Sequence, residues 1–161
     1  FLVEALVGDF RGDNKMLDVV VGSSPRVFAH NIETVESLQG KVRDARASYS
    51  QSLGVLAYAR EKGMMYTKSS LQLGHGESDA EVFQTMRDLR SVGVNMLTIG
   101  QYLQPSSWHL PVVEYASLAR FAQLERAAKG MGFDFVASGP LVRSSYRAAE
   151  LFAFHDPLSA H

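Results

Sequence analysis

The feature that most restricts this chain is a regular exchange of two periodicities. Short apolar runs at Leu2–Val7, Arg26–His30, Tyr66–Leu73, Asn95–Gln101 and Phe133–Ala137 read as strands. Between them lie segments with helical spacing. Asp13–Val21 has Asp13 as a plausible N-cap, and a second helical stretch has Thr34 as its expected cap. Asp44–Glu61 carries Tyr49, Leu53, Leu56, Ala57 and Arg60 on one stripe. Ser78–Val92 opens with Ser78 and Glu81 in capping-box register and shows the stripe Val82, Met86, Leu89. Leu118–Gly130 is closed by Gly130 and Gly132. Strands separated by helices at roughly 30-residue intervals are βαβ units, which imply parallel pairing and right-handed crossovers. The pattern leaves two architectures open: part of a β/α barrel, or a doubly wound sheet. In both, ligands collect beyond the C-terminal ends of the strands.

Composition narrows the chemistry. Of 161 residues, 46% are hydrophobic and 20% charged, enough for a packed core. The formal net charge of −1 gives no clustered positive field for nucleic acid or a membrane surface. No apolar run approaches the roughly 20 residues of a membrane span. There is no cysteine, so these residues alone supply no disulfide, no thiolate metal site and no iron–sulfur ligand set. The five histidines (His30, His75, His109, His155, His161) show no helical metal-ligand spacing.

Each expected strand delivers polar residues at its far end. The first leads into Asp9-Phe10-Arg11-Gly12-Asp13, the second into His30-Asn31-Ile32-Glu33-Thr34, and the third into Gly74-His75-Gly76-Glu77. The fourth leads into Gly100 to Pro105, and the fifth into Ser138-Gly139-Pro140 and then Arg143-Ser144-Ser145-Tyr146. Asn31 and Glu33, two apart, suit a ribose, whose vicinal hydroxyls donate to a carboxylate. They equally suit a turn followed by an acid-rich helix start. The Gly74–Glu77 stretch suits either a flat ligand or a tight turn before the helix capped at Ser78. Ser144 and Ser145, between Arg143 and Arg147, read best as a solvated turn.

Together these loop segments resemble the lipoyl synthases. The pieces that carry the likeness are Asp9-Phe10-Arg11-Gly12, Ala29 to Val35, Lys41-Val42-Arg43-Asp44, and Tyr49 with Ser52-Leu53. To these are added Thr67 to Ser70, Leu97 to Pro105, and Gly139 to Tyr146. The likeness runs from about Val3 to about Phe154. It implies an α/β fold: the C-terminal half of a partial radical S-adenosylmethionine barrel with parallel strands, residues 1–154, followed by a tail at 155–161.

By the same resemblance, the activity is radical sulfur insertion into a protein-bound octanoyl group to make the lipoyl cofactor. The cofactors are two 4Fe-4S clusters and S-adenosylmethionine. Asn31 and Glu33 contact the nucleoside, Ser52 lies near the methionyl end, and Lys68 faces substrate or cofactor. Gly74 and Gly76 pack on the adenine, while Gln101 and His109 stand near the acyl chain. Ser144, rather than Ser145, is the expected cluster ligand. The partners implied are an octanoylated lipoyl-carrier domain or H protein and an electron donor such as ferredoxin. Location follows the family: mitochondrion, with plastid or bacterial cytoplasm as alternatives.

The sequence departs from the family's pattern at His75, where leucine is usual, and at Gly8, where proline is usual. The Cys-x₃-Cys-x₂-Cys set and the second cysteine trio are absent, so a catalytically silent fragment is expected. A binding remnant for a nucleotide or carrier protein is the alternative. A barrel enzyme using Lys68 as a Schiff-base lysine is a more distant one.

Overall fold

A computed structural model describes residues 3–145. Strand β1 is Glu4–Leu6, β2 Val27–Ala29, β3 Tyr66–Leu73, β4 Met96–Gln101 and β5 Phe135–Ser138. The helices are α1 Asn14–Gly22, α2 Gln39–Val42, α3 Tyr49–Glu61, α4 Asp79–Ser91 and α5 Leu118–Gly130. Short 3-10 turns lie at Phe10–Gly12 and Glu36–Leu38. The expected tail at 155–161 lies outside the described residues.

All strand pairs are parallel, and the order is β1-β2-β3-β4-β5. That order decides between the two architectures. A doubly wound sheet reverses direction from an inner strand. Here every crossover steps the same way, so right-handed connections stack the helices on one face. The result is an α/β fold with a five-stranded parallel sheet, consistent with the C-terminal part of a partial barrel.

The two faces of the sheet have different chemistry. Phe28, Leu71, Leu73, Leu97, Ile99 and Val136 point to the helices and pack against Leu56, Val82, Met86, Leu89, Phe121 and Leu124. Each fully buried aliphatic or aromatic side chain of this kind contributes about 1.5–3 kcal/mol. In register with one another on the opposite face stand Ala29 and Lys68, then Ser70 and Thr98, then Gln72 and Gly100. Above an apolar patch of Val27, Tyr66, Met96 and Phe135 at the N-terminal ends of the strands, the concave side is therefore built of small and polar residues rather than of the branched aliphatic layers that fill a closed barrel. At its lower end Lys68, 1% exposed, lies 3.0 Å from both carboxylate oxygens of Glu4.

Helix starts follow local chemistry. Asp13 and Ser117 cap α1 and α5, and Ser78 with Glu81 forms a complete capping box on α4. Two expectations are corrected. Thr34 caps nothing: the turn after it has Val35 at its N-cap with no side-chain cap, and the Gln39 amide braces the segment differently, by donating to the carbonyls of Ile32 and Thr34. The helix expected from Asp44 begins at Tyr49 instead, capped by Ser48, because Asp44 folds back to accept from the Arg46 N–H. Its buried face is Tyr49, Ser52, Val55, Leu56 and Ala59. A buried serine interrupts the apolar period and displaces the stripe read from sequence.

Candidate functional site

The site is built on an irregularity in β2. Ala29 pairs with Lys68, and the next bridge joins Glu33 to Leu71. Four steps on one strand thus match three on the other, a one-residue bulge. The Ser69 hydroxyl fills the gap by accepting from the Ile32 N–H at 3.0 Å. Glu33 takes a left-handed conformation, φ 67°, which costs a non-glycine residue about 1 kcal/mol or more. Backbone bonds on both sides hold it there: Glu33 N to Ser70 O at 3.1 Å and Gln72 N to Glu33 O at 2.8 Å. Ile32 is driven into the core, so Asn31 and Glu33 are left on the concave side.

There they stand in a wall shared by two cavities. The larger, about 870 Å³, opens at the C-terminal ends of the strands and includes Asp9, His30, Arg43, His75, Trp108 and His109 in its lining. The smaller, about 260 Å³, lies further inside, between Ser70, Gly100, Gln101 and the turn carrying Val142, Arg143 and Ser144. Asn31, Glu33, Gln72 and Tyr102 line both. Burial raises the Glu33 carboxyl above its ordinary range, while the Asn31 side chain and the Arg43 charge pull it back.

Behind the wall runs a buried relay. His30 Nδ1 lies 2.9 Å from the Val7 carbonyl, which can only accept, so Nδ1 carries the proton. Nε2 then accepts from the Ser52 hydroxyl at 2.8 Å, and Ser52 Oγ accepts from Arg43 Nη1 at 2.7 Å. The same Nη1 donates to Gln39 Oε1 at 2.9 Å. Burial, aided by the Arg43 charge, holds His30 below its ordinary value, while the Val7 carbonyl and the Asp9 charge pull it back. The relay fixes Arg43 at the cleft, facing the charges of Glu33 and Asp9.

The residues expected from sequence separate into three groups. Asn31, Glu33, Gln101, His109 and Ser144 all reach the cavities. Gln101 is also committed to the scaffold: its amide nitrogen donates to Glu114 O and its oxygen accepts from Ala116 N, both at 3.0 Å. Ser52, fully buried, stands behind the wall and acts through His30 and Arg43. Lys68 and the two loop glycines are not among the lining residues. Lys68 is held by Glu4.

The Gly74–Glu77 turn is closed from within. Both Glu77 oxygens accept backbone N–H groups, from Gly74 and His75, each at 2.9 Å. At Gly74 (φ 109°) a Cβ would sit 2.4 Å from the Gln101 amide and 2.8 Å from Glu114 O. Protein contacts thus already demand glycine there. His75 supplies the wall instead, packed on Tyr102 with ring centroids 4.2 Å apart. Burial keeps this imidazole below its ordinary value. Sequence reasoning missed Arg43, Asp9, Gln72 and Tyr102 as lining residues. Arg43 sits in an irregular loop where no periodicity marks its direction.

The sequence contains no cysteine, and among the described residues no group of three or more His, Asp or Glu is placed to hold a metal ion. The residues here therefore do not fit an iron–sulfur cluster on their own. No helix among the described residues is long and apolar enough to cross a membrane.

No family model matches the chain. Individual proteins do. It is 59% identical over 152 residues to a lipoyl synthase of Anaeromyxobacter dehalogenans, covering 94% of this chain and 52% of that protein. It is 57% identical over 153 residues to a chloroplastic lipoyl synthase 1 of Populus trichocarpa, covering 94% of this chain and 40% of the relative. A mitochondrial lipoyl synthase of Trypanosoma brucei gambiense is 56% identical over 153 residues, 94% of this chain and 37% of that protein. The chain thus spans about half the length of the bacterial relative and less of the other two. Bacterial, plastid and mitochondrial proteins align alike, so the likeness does not fix a compartment. Over the 94% of it that aligns, this chain belongs to the lipoyl synthase family.

Proposed function

We propose that the chain is the C-terminal part of a lipoyl synthase, residues 1–154 with a tail at 155–161, and that it supplies the nucleoside-facing wall of a radical S-adenosylmethionine site. The observation that carries this is the bulge at Ile32, which holds Asn31 and Glu33 together in the partition between the two cavities. A ribose placed at that partition offers two hydroxyl donors to the Glu33 carboxylate. Asn31 orients the carboxylate and offers its own amide. Arg43, fixed by Ser52 and Gln39, presents positive charge nearby, suited to the carboxylate end of the same ligand. Tyr102 and His75 give an aromatic surface for a flat ring.

In the complete enzyme, iron–sulfur clusters and S-adenosylmethionine would supply the radical and sulfur chemistry that converts a protein-bound octanoyl group into the lipoyl cofactor. The residues here do not hold a cluster unaided. Ser144, which lines the inner cavity, offers one hydroxyl toward such a group. Gln101 and His109 flank the space open to an acyl chain. An octanoylated carrier domain or H protein as substrate, a ferredoxin-type electron donor and a mitochondrial setting complete the reading. The last is supported by the trypanosomal relative.

The test is equilibrium titration of the chain with S-adenosylmethionine. Removing the carboxylate by Glu33→Gln loses charge-assisted hydrogen bonds worth about 1.5–3 kcal/mol, a weakening of about 10- to 150-fold. An affinity unchanged by both Glu33→Gln and Asn31→Ala overturns the nucleoside assignment.

A further inference from the structure

Strand β4 turns its concave face toward a crossing stretch of chain. After β5 the backbone turns at residues 139–142, where the Val142 N–H donates to the Gly139 carbonyl at 3.1 Å. It then passes over Gly100. A Cβ on Gly100 would lie 2.2 Å from the Val142 carbonyl oxygen and 3.3 Å from its carbon. Both are backbone atoms and cannot swing aside as a side chain would. Gly100 is not among the glycines with positive φ, so space rather than conformational freedom requires glycine here. Arg143 secures the crossing, since its Nη1 donates to that same Val142 carbonyl at 2.9 Å. At Gly139, by contrast, a Cβ would meet only Val142 Cγ2 at 3.5 Å, an ordinary contact.

The crossing shapes the inner cavity. It brings Val142, Arg143 and Ser144 opposite Asn31, Glu33 and Gln72 around a space of about 260 Å³. A methyl group at position 100 would push this turn off the sheet, widening the cavity and moving the Ser144 hydroxyl away from the Asn31–Glu33 wall. We propose that Gly100 is a positioning residue: its missing side chain seats the 139–144 turn inside the sheet and sets where Ser144 stands relative to Asn31 and Glu33. This rests on reading that cavity as part of the functional site.

The cysteine-free sequence makes the test direct, because a single introduced thiol reports alone. Val142→Cys, at a position 8% exposed, reads the seating of the turn, and Ala128→Cys, at a position 0% exposed on the buried face of α5, reads opening of the whole core. Labelling by an aromatic disulfide reagent is followed for each reporter with glycine or alanine at position 100. The expected result is a rise of at least about tenfold at Val142→Cys on Gly100→Ala, equivalent to roughly 1.4 kcal/mol of lost closure. Ala128→Cys is unchanged, and Gly139→Ala moves neither reporter. An unchanged rate at Val142→Cys overturns the proposal. So does an equal rise at both reporters, which would make Gly100 a requirement of the fold as a whole. Neither outcome depends on nucleoside binding, so a failed titration with S-adenosylmethionine would leave this test standing.

Discussion

Replacing Glu4 by glutamine tests whether the concave face is organised by charge. Lys68 is 1% exposed, and its ammonium lies 3.0 Å from both oxygens of Glu4, itself 14% exposed at the side chain. The two residues sit on β3 and β1, so the pair straddles β2 and ties down an edge strand of three residues. Glu4→Gln keeps the shape but leaves a cation in a place water does not reach, at a cost of about 3–5 kcal/mol. The amide oxygen still accepts one hydrogen bond, which returns about 1 kcal/mol. The net loss is therefore about 2–4 kcal/mol, or roughly 4–16 °C in Tm for a chain of this size. Lys68→Met removes the charge and keeps the apolar stem, and it leaves Glu4 close enough to the surface to be solvated. It should cost less, about 1–2 kcal/mol. The double variant should be more stable than Glu4→Gln alone, because the orphaned cation is gone. Urea unfolding with matched m-values measures all four corners of the cycle. A Glu4→Gln cost below about 1 kcal/mol, or a double variant no better than Glu4→Gln, would refute the argument that the pair is a desolvated tie.

Gly74→Ala forces a Cβ against the Gln101 amide and the Glu114 carbonyl at φ 109°; a loss above about 2 kcal/mol is expected in urea unfolding. Ser52→Ala strips the hydroxyl between His30 and Arg43. Stability should fall by about 1–3 kcal/mol, and S-adenosylmethionine affinity should fall with it as Arg43 loses its anchor, whereas Ser52→Thr should restore part of both. Glu33 has its carboxyl raised above the ordinary 4.5 by burial. The folded chain therefore holds this proton more tightly than the unfolded chain, and stability should decline as pH rises from about 4.5 through the folded value. Glu33→Gln should flatten that decline in urea midpoints taken across the range; an unchanged slope would show that the carboxylate is not desolvated.

Much of the scaffold is legible because its signals are local. The ends of β3 and α5 coincide with the apolar run Tyr66–Leu73 and the glycine-closed helix Leu118–Gly130. The Ser78–Glu81 box is a four-residue pattern that needs no tertiary context. Strand order was not local, and the alternation of elements left barrel and doubly wound sheet equal until pairing separated them. At the site, Asn31 and Glu33 were visible from spacing, but the bulge that turns both toward the cavities depends on Ser69, 37 residues away. Thr34 carries the hydroxyl that favours a cap, yet this turn has no side-chain cap; the Gln39 amide instead reaches back five residues to donate to the Thr34 carbonyl. Ser52 and Lys68 were correctly placed on their elements. Their partners, His30 with Arg43 and Glu4, are brought to them only by the fold.

The sequential strand order also has a consequence for how the sheet forms. Its pairings join Glu4 to Val27, Val27 to Tyr66, Lys68 to Met96 and Met96 to Phe135, separations of 23, 39, 28 and 39 residues. Among the described strands no pairing skips a neighbour, so no strand must wait for a distant segment to pair with it. Loop-closure cost rises only slowly over such lengths, and each strand finds its template in the one made just before it. Assembly can therefore track synthesis from the ribosome, one βα unit at a time. The turn that crosses Gly100 follows all five strands in sequence, so the inner cavity is completed only after the wall it faces already stands.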